Sequence, residues 1–460
     1  MADTIQPEIS KQEVEHVGQE KKPQLRYAWY VLVVLTVMYM FSFVDRQILS
    51  LLVPWIKRDL RVNDTLIGLL AGFAFALFYT LVGLPIGRLA DSRSRRNIVG
   101  ISVFLWSIFT AACAGAKSFS TLFLARIGVG IGEAGLGPAA YSLIADYFPK
   151  ERVGRAISFY YFGLFLGQSL ALLVGGIAVD SLANTAGTTL PILGKIAGWQ
   201  ITFLIVGLPG ILVALLALTI REPRRKNMLL TAEGKPVKTS FKEAMRQIRL
   251  RWQSFVGISA GMIFQCTCNA AVGIWVPNYF LRVHHWTGAQ TGKALAFIMI
   301  LFACSGMYFG GFLSDRWQQR GVLDGPIRVA LLSGAGILLF MTPATLVPNP
   351  YVSLALLAVG MFLLTFPMGT SVAALQLIFP NQIRGQVAAL FLFVLNLTGG
   401  SMGPLLPGVL NDHVFHNENM VGVSLAITLG VASVLMLVAF SLTMRPYRFH
   451  YRMMEEVVGK

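Results

Sequence analysis

The sequence predicts an all-α integral membrane protein with twelve transmembrane helices in two pseudo-symmetric six-helix bundles. Composition is the first reason, because 55% of the 460 residues are hydrophobic, 13% are charged, and the mean hydropathy is +0.64. An ordinary soluble protein carries about 25% charged residues. This chain therefore lacks the polar surface that keeps a globule in water.

The apolar residues fall into twelve runs, each near the roughly 20 residues that a helix needs to cross a bilayer. An even number of spans predicts that both chain termini lie on the same side of the membrane. The predicted spans are 28–52, 65–89, 97–115, 119–147, 154–180, 199–220, 252–281, 291–314, 327–346, 350–379, 385–410 and 420–444.

The basic residues predict how these spans are oriented. The net charge is +16, and 29 of the 38 lysines and arginines lie in the tails and loops on the side of the termini, whereas seven lie in the opposite loops. The positive-inside rule then places both termini in the cytoplasm. The first 25 residues show no secretory signal, so we expect a multi-pass protein of the cell (inner) membrane. The basic excess is a topology signal, and no nucleic-acid partner is expected.

A long polar interval divides the chain into two halves. The predicted parts are a polar cytoplasmic tail (1–25), a six-helix bundle (26–220), a cytoplasmic linker (221–251), a second six-helix bundle (252–445) and a cytoplasmic tail (446–460). The end of the linker, 241–251, forms either a basic helix on the membrane surface or a solvated connection.

The two halves share a short pattern. "GRLADSRSRR" (87–96) follows the second run and "GGFLSDRWQQR" (310–320) follows the eighth, and both read G-x-x-x-D and then basic residues. Many secondary transporters are built from a repeated unit, with the substrate site between the repeats near mid-membrane. The repeat therefore predicts a transport site between the bundles.

The fourth run contains a G-x-G-x-x-G pattern at Gly130, Gly132 and Gly135. A dinucleotide fingerprint needs a strand before this pattern and an acidic residue about 20 positions later. Here the pattern lies within an apolar run, and the next acids, Asp146 and Glu151, are too near. We therefore expect no cofactor, and we expect the glycines to let neighbouring helices approach closely.

Four charges lie well inside the predicted spans, away from the span ends: Asp45 and Arg46 in the first, and Arg126 and Glu133 in the fourth. A charge near the bilayer centre costs at least about 2.5–3.5 kcal/mol, so it usually faces a partner or a water-filled cavity. Arg126 and Glu133 are about 10 Å apart along a helix, too far to pair with each other. We predict a four-member network facing the cavity, and a static ion-pair cluster is the alternative.

The chemistry of these four residues predicts separate roles. A desolvated carboxylate beside an arginine is poised to gain and lose a proton, which makes Asp45 and Glu133 the proton-coupling candidates. A guanidinium keeps its charge and suits phosphate or carboxylate, which makes Arg46 and Arg126 the candidates for binding a substrate head group.

The second half has no charged residue in the middle of its predicted spans, since Lys293 and Arg328 lie at span ends, and it is rich in Phe, Leu and Met. Its candidate polar residues for the cavity are the amides Gln265, Asn269, Gln376 and Asn396. A cavity that is polar on one wall and apolar on the other suits an amphiphile. In the eleventh run, Pro404 and Pro407 predict a bend or hinge.

These motifs resemble the major facilitator superfamily. Its fourth-helix pattern R-x-x-x-G-x-G-x-A-G is matched by Arg126, Gly130, Gly132, Ala134 and Gly135, and the resemblance covers about residues 26–445. Two stretches are similar to the Spinster family and resemble a bacterial member of it: "FVDRQILSLL" (43–52) and "RIGVGIGEAGLGPAAYSLIADYFP" (126–149). The resemblance implies a proton-coupled carrier of lysolipids or sphingoid phosphates that works by alternating access.

The resemblance also implies a cytoplasmic gate motif. Asp91 is expected near the start of the eleventh helix, where the helix dipole favours a negative charge, and Arg95 is expected to bridge to Asp146. Ser94 replaces the glycine that is usual in this motif. The gate residues are Gly87, Asp91, Arg95, Arg96 and Asp146.

The remaining features exclude other chemistries. None of the six histidines lies in the middle of a predicted span, and no nucleophile, metal-ligand or phosphate-loop pattern is present. We therefore expect a transporter that is not an enzyme, has no metal and works as a monomer, with protons, a lipid-like substrate and membrane lipids as partners. A symporter of small organic anions or sugar acids, and a non-transporting membrane sensor or scaffold, are the alternatives.

Overall fold

The computed structural model describes residues 25–182, 188–190, 194–223, 241–380 and 383–458. Within these residues, twelve helical spans are long and apolar enough to cross a membrane, which confirms the predicted number. They are Leu25–Leu60, Asp64–Ala90, Arg95–Gly115, Phe119–Tyr147, Arg152–Leu182, Gly198–Thr219, Trp252–Arg282, Gly288–Gln319, Gly325–Ala344, Pro350–Ile378, Arg384–Val414 and Glu418–Glu455. We number them first to twelfth in this order.

Two short elements lie outside the spans. Strands β1 (Thr188–Leu190) and β2 (Gly194–Ile196) form an antiparallel hairpin between the fifth and sixth spans. A linker helix, Phe241–Leu250, precedes the seventh span and buries Ala244 and Ile248. This part of the linker is therefore helical. The predicted tail 1–25 and the predicted linker lie largely outside the described residues.

Spans form where an apolar stretch can satisfy its own backbone, because nothing in a bilayer core hydrogen-bonds an exposed amide. Several begin at a side-chain cap that binds the first free N–H groups. Ser118 and Thr121 form a reciprocal capping box at the fourth span, as do Thr287 and Gln290 at the eighth. Asn349 caps the tenth span, with Pro350 in its first turn.

Two elements differ from those expected. The fourth span consists of two helices, Phe119–Glu133 and Leu136–Tyr147, because Ala134 and Gly135 form a turn between them. The last helix runs from Val421 to Val458, through the residues predicted as a tail. The proline-containing part of the eleventh span is an uninterrupted helix from Arg384 to Val409, followed by a π-helical turn.

The molecule has two ends, which we name by what lies there. The linker side is the end of the molecule where the sixth span ends and the seventh begins. The far side is the opposite end. On the far side the two halves pack backbone to backbone. A Cβ added to Gly68 would lie 2.6 Å from the carbonyl oxygen of Pro404, and one added to Gly176 would lie 2.3 Å from that of Gly288. Small residues permit this approach, so the far side is closed.

Candidate functional site

A cavity of about 170 Å³ lies between the two halves. The first, second, fourth, fifth, seventh and eleventh spans contribute to its wall, so neither bundle could form it alone. Its lining residues are Phe43, Arg46, Gln47, Ala71, Gly72, Phe75, Ala76, Tyr79, Arg126, Gln168, Asn269, Ala270, Gly273, Ile274, Asn396, Gly400 and Pro404.

An ion pair between Arg46 and Glu133 stands at the edge of this cavity. Nη2 of Arg46 lies 2.5 Å and its Nε 2.7 Å from Oε2 of Glu133, and the Ser42 hydroxyl donates to the same oxygen at 2.8 Å. The Glu133 side chain is 1% exposed, whereas that of Arg46 is 27% exposed. The other carboxylate oxygen of Glu133, Oε1, is buried without a hydrogen-bond partner in the described part of the chain.

Aromatic rings surround the Arg46 guanidinium. Its Cζ lies 4.1 Å from the ring centre of Phe75, 4.9 Å from that of Phe43 and 5.0 Å from that of Tyr79. Cation–π attraction of this kind strengthens when water is excluded. The rings therefore hold the charge in place while leaving part of it open to the cavity.

Asp45 does not belong to this pair. It is 2% exposed, its Oδ2 accepts a hydrogen bond of 3.0 Å from Thr110, and its Oδ1 has no partner among the described residues. Successive residues of a helix point about 100° apart. When Arg46 points into the cavity, Asp45 must therefore point elsewhere, and it faces the third span.

Arg126 lines the cavity, and its side chain contacts the backbone of the first span. Nη1 of Arg126 donates to the carbonyl oxygen of Asp45 at 3.3 Å, and its Nε has no partner within the described chain. The predicted four-member network is thus corrected to two groups: Arg46 with Glu133, and Arg126 beside Asp45. Adjacent residues of a helix point about 100° apart, so the side chains of Asp45 and Arg46 have different hydrogen-bond partners.

The glycines of the fourth span pack as expected. A Cβ at Gly132 would lie 2.5 Å from the backbone nitrogen of Trp106 in the third span, and one at Gly130 would lie 2.8 Å from the carbonyl oxygen of Phe75 in the second. Glu133 is the last residue of the helix before the turn. Close packing on both sides therefore sets the position of the carboxylate.

The four predicted amides have different locations. Asn269 and Asn396 line the central cavity. Gln265 is buried and donates to the carbonyl oxygen of Leu364 at 3.0 Å, so it joins two spans of the second half. Gln376 lines a different pocket, on the linker side.

Three polar residues of the cavity were not selected from the sequence: Gln47, Tyr79 and Gln168. Gln47 bridges the halves, since its Nε2 donates to the carbonyl oxygen of Gly273 at 2.8 Å. An amide next to the D-R pair of the first span was the available signal for Gln47. Gln168 is an amide inside the fifth span, which is the same kind of signal used for the second half.

On the linker side, the predicted contact between Arg95 and Asp146 is present. Arg95 is 1% exposed and also donates to Ser142 at 2.8 Å and to Glu222 at 2.8 Å. Glu222, the first acid after the sixth span, was not predicted. The side chain of Asp91 lies outside the described part of the structure, and a Cβ at Gly87 would meet open space. The Arg96 backbone N–H donates to Glu222 at 2.9 Å.

Opposing effects set the pKa of Glu222. Burial would raise it, but hydrogen bonds from the Arg96 backbone, the Arg95 guanidinium and the Ser94 hydroxyl hold the pKa below its ordinary value. These bonds stabilise the charged carboxylate. Glu222 is therefore an anion at neutral pH, and it ties the end of the sixth span to the start of the third.

A charged cluster closes the far side. The Asp64 carboxylate is fully buried and accepts from Lys57 at 2.7 Å, from Arg282 at 2.7 and 3.0 Å, and from Asn411 at 2.9 Å. Asp412 in turn accepts from the backbone N–H of Thr65 at 2.6 Å. The sequence places Lys57 and Arg282 in loops on the side opposite the termini. It does not show that both cations pair with the same buried acid, Asp64.

Comparisons with known proteins agree with this architecture. The chain is 27% identical over 437 residues to an MFS-type efflux pump of Mycolicibacterium smegmatis, covering 94% of this chain and 95% of the relative. It is 28% identical over 345 residues to a probable L-galactonate transporter of Escherichia coli, covering 70% and 69%.

A solved structure gives the closer geometric match. It is a bacterial homologue of the human lysosomal transporter Spinster in an inward-facing and unoccupied conformation, with 26% identity and a TM-score of 0.75, covering 95% of this chain and 99% of that one. The family model described as Major Facilitator Superfamily matches residues 35–404. With its twelve spans, its two bundles and the cavity between them, the chain belongs to the major facilitator superfamily of membrane transporters and is not an enzyme.

Proposed function

We propose that this protein is a proton-coupled secondary active transporter of an amphiphilic anionic or zwitterionic lipid, such as a lysophospholipid, working by alternating access. One observation carries the proposal. Arg46, the partly exposed cation of the cavity wall, is held by a buried carboxylate whose second oxygen has no partner among the described residues.

The pair supports an exchange of partners. A phosphate or carboxylate that enters the cavity competes with Glu133 for Arg46, because a guanidinium binds either anion through the same fork. A buried carboxylate that loses its cation is costly to keep charged. Glu133 then takes up a proton, and it returns that proton when the substrate leaves and the ion pair re-forms.

Asp45 and Arg126 form the proposed second element of coupling. Asp45 has one buried oxygen without a partner in the described chain, and Arg126 lies against its backbone and reaches the cavity. A change in the charge of Asp45 would alter its electrostatic attraction for the nearby Arg126 guanidinium. We propose Arg126 as the second head-group ligand and Asp45 as a second proton carrier.

The amphiphilic class of substrate is supported by the cavity wall and by the structural match. Phe43, Phe75, Ile274 and Pro404 give the cavity an apolar surface beside the two arginines. The matched solved structure is described as a homologue of Spinster. The sequence motifs of this chain resemble the same family. A charged head and a hydrocarbon tail would both find complementary surface here.

A symporter of small organic anions or sugar acids is the second candidate. Four amides, Gln47, Gln168, Asn269 and Asn396, line the cavity and could hydrogen-bond sugar hydroxyls. The relative from Escherichia coli is described as an L-galactonate transporter. A series of substrates with increasing tail length separates the two, since only the lipid proposal expects transport to improve with acyl chains.

We propose the remaining topology as the sequence predicts it. The protein lies in the inner membrane as a monomer with both termini in the cytoplasm, so that the linker side is cytoplasmic. Gly87, Asp91, Arg95, Arg96 and Asp146 act there as the cytoplasmic gate motif.

The test is flux of a labelled lysophospholipid in proteoliposomes, with and without an imposed pH gradient. We expect Glu133→Gln to abolish the response to the gradient while leaving binding intact, because a neutral amide cannot exchange the proton. Glu243→Gln is the matched control, since that side chain is 40% exposed on the linker helix and pairs with Arg246.

An unchanged response to pH in Glu133→Gln would reject proton coupling at this residue. Transport of short sugar acids with no lysolipid flux would favour the second candidate. Absence of any flux for both classes would favour a non-transporting sensor or scaffold.

A further inference from the structure

A second pocket of about 310 Å³ opens on the linker side of the second half. It lies between the ends of the eighth, tenth and eleventh spans, and all of its lining residues belong to that half. It shares no residue with the central cavity. The polar members of its wall are Ser314, Asp315, Gln318, Thr370, Gln376 and Arg384.

Two opposite charges face this pocket without pairing with each other. Asp315 is exposed and makes no ion pair with any described residue. Arg384 is half-buried, and its Nε donates to the carbonyl oxygen of Phe379 at 2.9 Å. That bond orients the guanidinium, and its two terminal nitrogens have no other hydrogen-bond partner in the described chain. The pocket thus offers a carboxylate and an oriented guanidinium.

A buried hydroxyl also lines the pocket. Thr370 is 5% exposed, and its Oγ1 has no hydrogen-bond partner among the described residues. Buried polar atoms of proteins are nearly always hydrogen-bonded, so an orphaned one points to a missing ligand or water. The lining of the pocket therefore includes a donor and acceptor that the protein itself does not use.

The surroundings of the repeated G-x-x-x-D pattern differ between the two halves. Behind its G-x-x-x-D pattern, the buried Arg95 is bound to Asp146 and Glu222. Behind the repeated pattern of the second half, the pocket is lined by the neutral side chains of Gln318 and Gln376. The first half thus pairs its buried arginine with two acids, whereas Arg384 of the second half forms no ion pair with a described acid.

We infer that this linker-side pocket binds a small zwitterion that combines a phosphate or carboxylate with an ammonium group. Arg384 takes the anionic group through its terminal nitrogens, Asp315 takes the ammonium, and Thr370 and Gln376 supply hydrogen bonds. The site is separate from the central cavity, and its existence does not depend on the function proposed there.

The test is calorimetric titration of the purified full-length protein with O-phosphoethanolamine, ethyl phosphate and ethylamine. We expect the zwitterion to bind more tightly than either single-charge probe. In Asp315→Asn the affinity for O-phosphoethanolamine should fall about fivefold, while that for ethyl phosphate stays unchanged. Thr370→Val should weaken both phosphate probes.

Variants of the central cavity provide the control. The titrations are repeated on an Arg46→Gln background, which removes the phosphate ligand proposed for the central cavity. Zwitterion binding that Asp315→Asn leaves unchanged on this background would overturn the inference. An equal loss of both phosphate probes in Asp315→Asn, or no binding of the zwitterion to the unaltered protein, would overturn it as well. Flux that ignores the pH gradient would reject the proposed coupling and leave this result intact.

Two sources of such a zwitterion are distinguished by adding lysophosphatidylethanolamine. Competition that depends on Asp315 identifies a lipid head group as the ligand. Binding of free O-phosphoethanolamine without such competition identifies a small soluble zwitterion. Either result supports the pocket, and competition that survives Asp315→Asn contradicts it.

Discussion

At the scale of single residues, the partners of a buried charge distinguish its role. Asp45 and Glu133 are both 2% exposed, yet one accepts from a neutral threonine and the other from an arginine and a serine. A buried carboxylate with a single neutral donor depends strongly on that donor. Thr110 is therefore a supporting residue that the sequence alone does not single out.

Replacing Thr110 by valine should destabilise the protein. The change removes the hydrogen bond to Asp45 and leaves a second buried carboxylate oxygen without a partner, at a cost of about 1–3 kcal/mol. Thermal unfolding in detergent measures the effect. Thr202→Val is the control, because among the described residues that buried hydroxyl bonds only to a carbonyl of its own helix. Equal stability losses in the two variants would contradict this role.

Glu222 should make stability depend on acid pH. Its pKa is held below the ordinary 4.5, so its contribution is present above about pH 4.5 and is lost as the pH falls through the lowered pKa. The stability difference between the unaltered protein and Glu222→Gln should therefore be constant near neutrality and shrink below about pH 4.5.

Thermal unfolding at a series of pH values measures this difference. Glu455→Gln is the matched control, since Glu455 is exposed near the end of the last helix and forms no ion pair with a described residue. A difference for Glu222→Gln that persists unchanged at the lowest pH would argue against the assignment.

At the scale of helices, small residues decide how closely neighbours approach, and close approach sets where the charges lie. The fourth span shows both effects. Its glycines contact the backbone of the second and third spans, and its helix ends at Glu133, where the turn at Ala134 and Gly135 begins. A tightly packed helix that stops at a carboxylate holds that carboxylate against Arg46.

Gly132→Ala should therefore disturb both packing and the site. The new methyl group would lie 2.5 Å from the backbone nitrogen of Trp106, and overpacking of this kind costs about 1–3 kcal/mol. Gly137→Ala in the following helix is the control, because its nearest atom, the Tyr79 hydroxyl, would be 3.8 Å away. A melting temperature lowered in both variants alike would contradict the packing explanation.

At the scale of the whole molecule, the far side is closed by one buried acid. Asp64 joins Lys57 of the first span, Arg282 of the seventh and Asn411 of the eleventh. Two cations gathered on one carboxylate link the two halves directly. If that carboxylate becomes neutral, the cations repel each other and the closed arrangement loses its main polar contact.

Asp64→Asn should shift the molecule towards a state that is open on the far side. A change of about 1–2 kcal/mol corresponds to a five- to thirtyfold shift in population. Spin labels at Lys117→Cys and Pro348→Cys, exposed far-side positions in the two halves, on a background without the native cysteines, would report longer distances.

Arg58→Gln is the control for this measurement. Arg58 is 69% exposed and pairs with the adjacent Asp59 at 3.2 Å, so it does not join the halves. Identical distance distributions in Asp64→Asn and the unaltered protein would show that the cluster does not hold the far side closed.

Much of the fold was predictable because it follows from chain-local properties. The twelve spans come from apolar runs, and the contact between Arg95 and Asp146 comes from a motif that repeats a known arrangement. The arrangement of Asp45, Arg46, Arg126 and Glu133 was only partly predictable. Helical spacing showed that Asp45 and Arg46 point apart, but it gave no information about which neighbouring helix each would meet.

Hydropathy and charge along the chain are enough to predict twelve membrane spans, two bundles and the charges that lie within the spans. Hydrophobicity and helical periodicity act over a few turns, so they can be read along the chain. The packing of the helices was needed to show that Glu133 rather than Asp45 pairs with Arg46, that Gln376 lines a separate pocket, and that Asp64 binds cations from both halves. Those pairings join residues up to hundreds of positions apart, and helix packing alone brings them together.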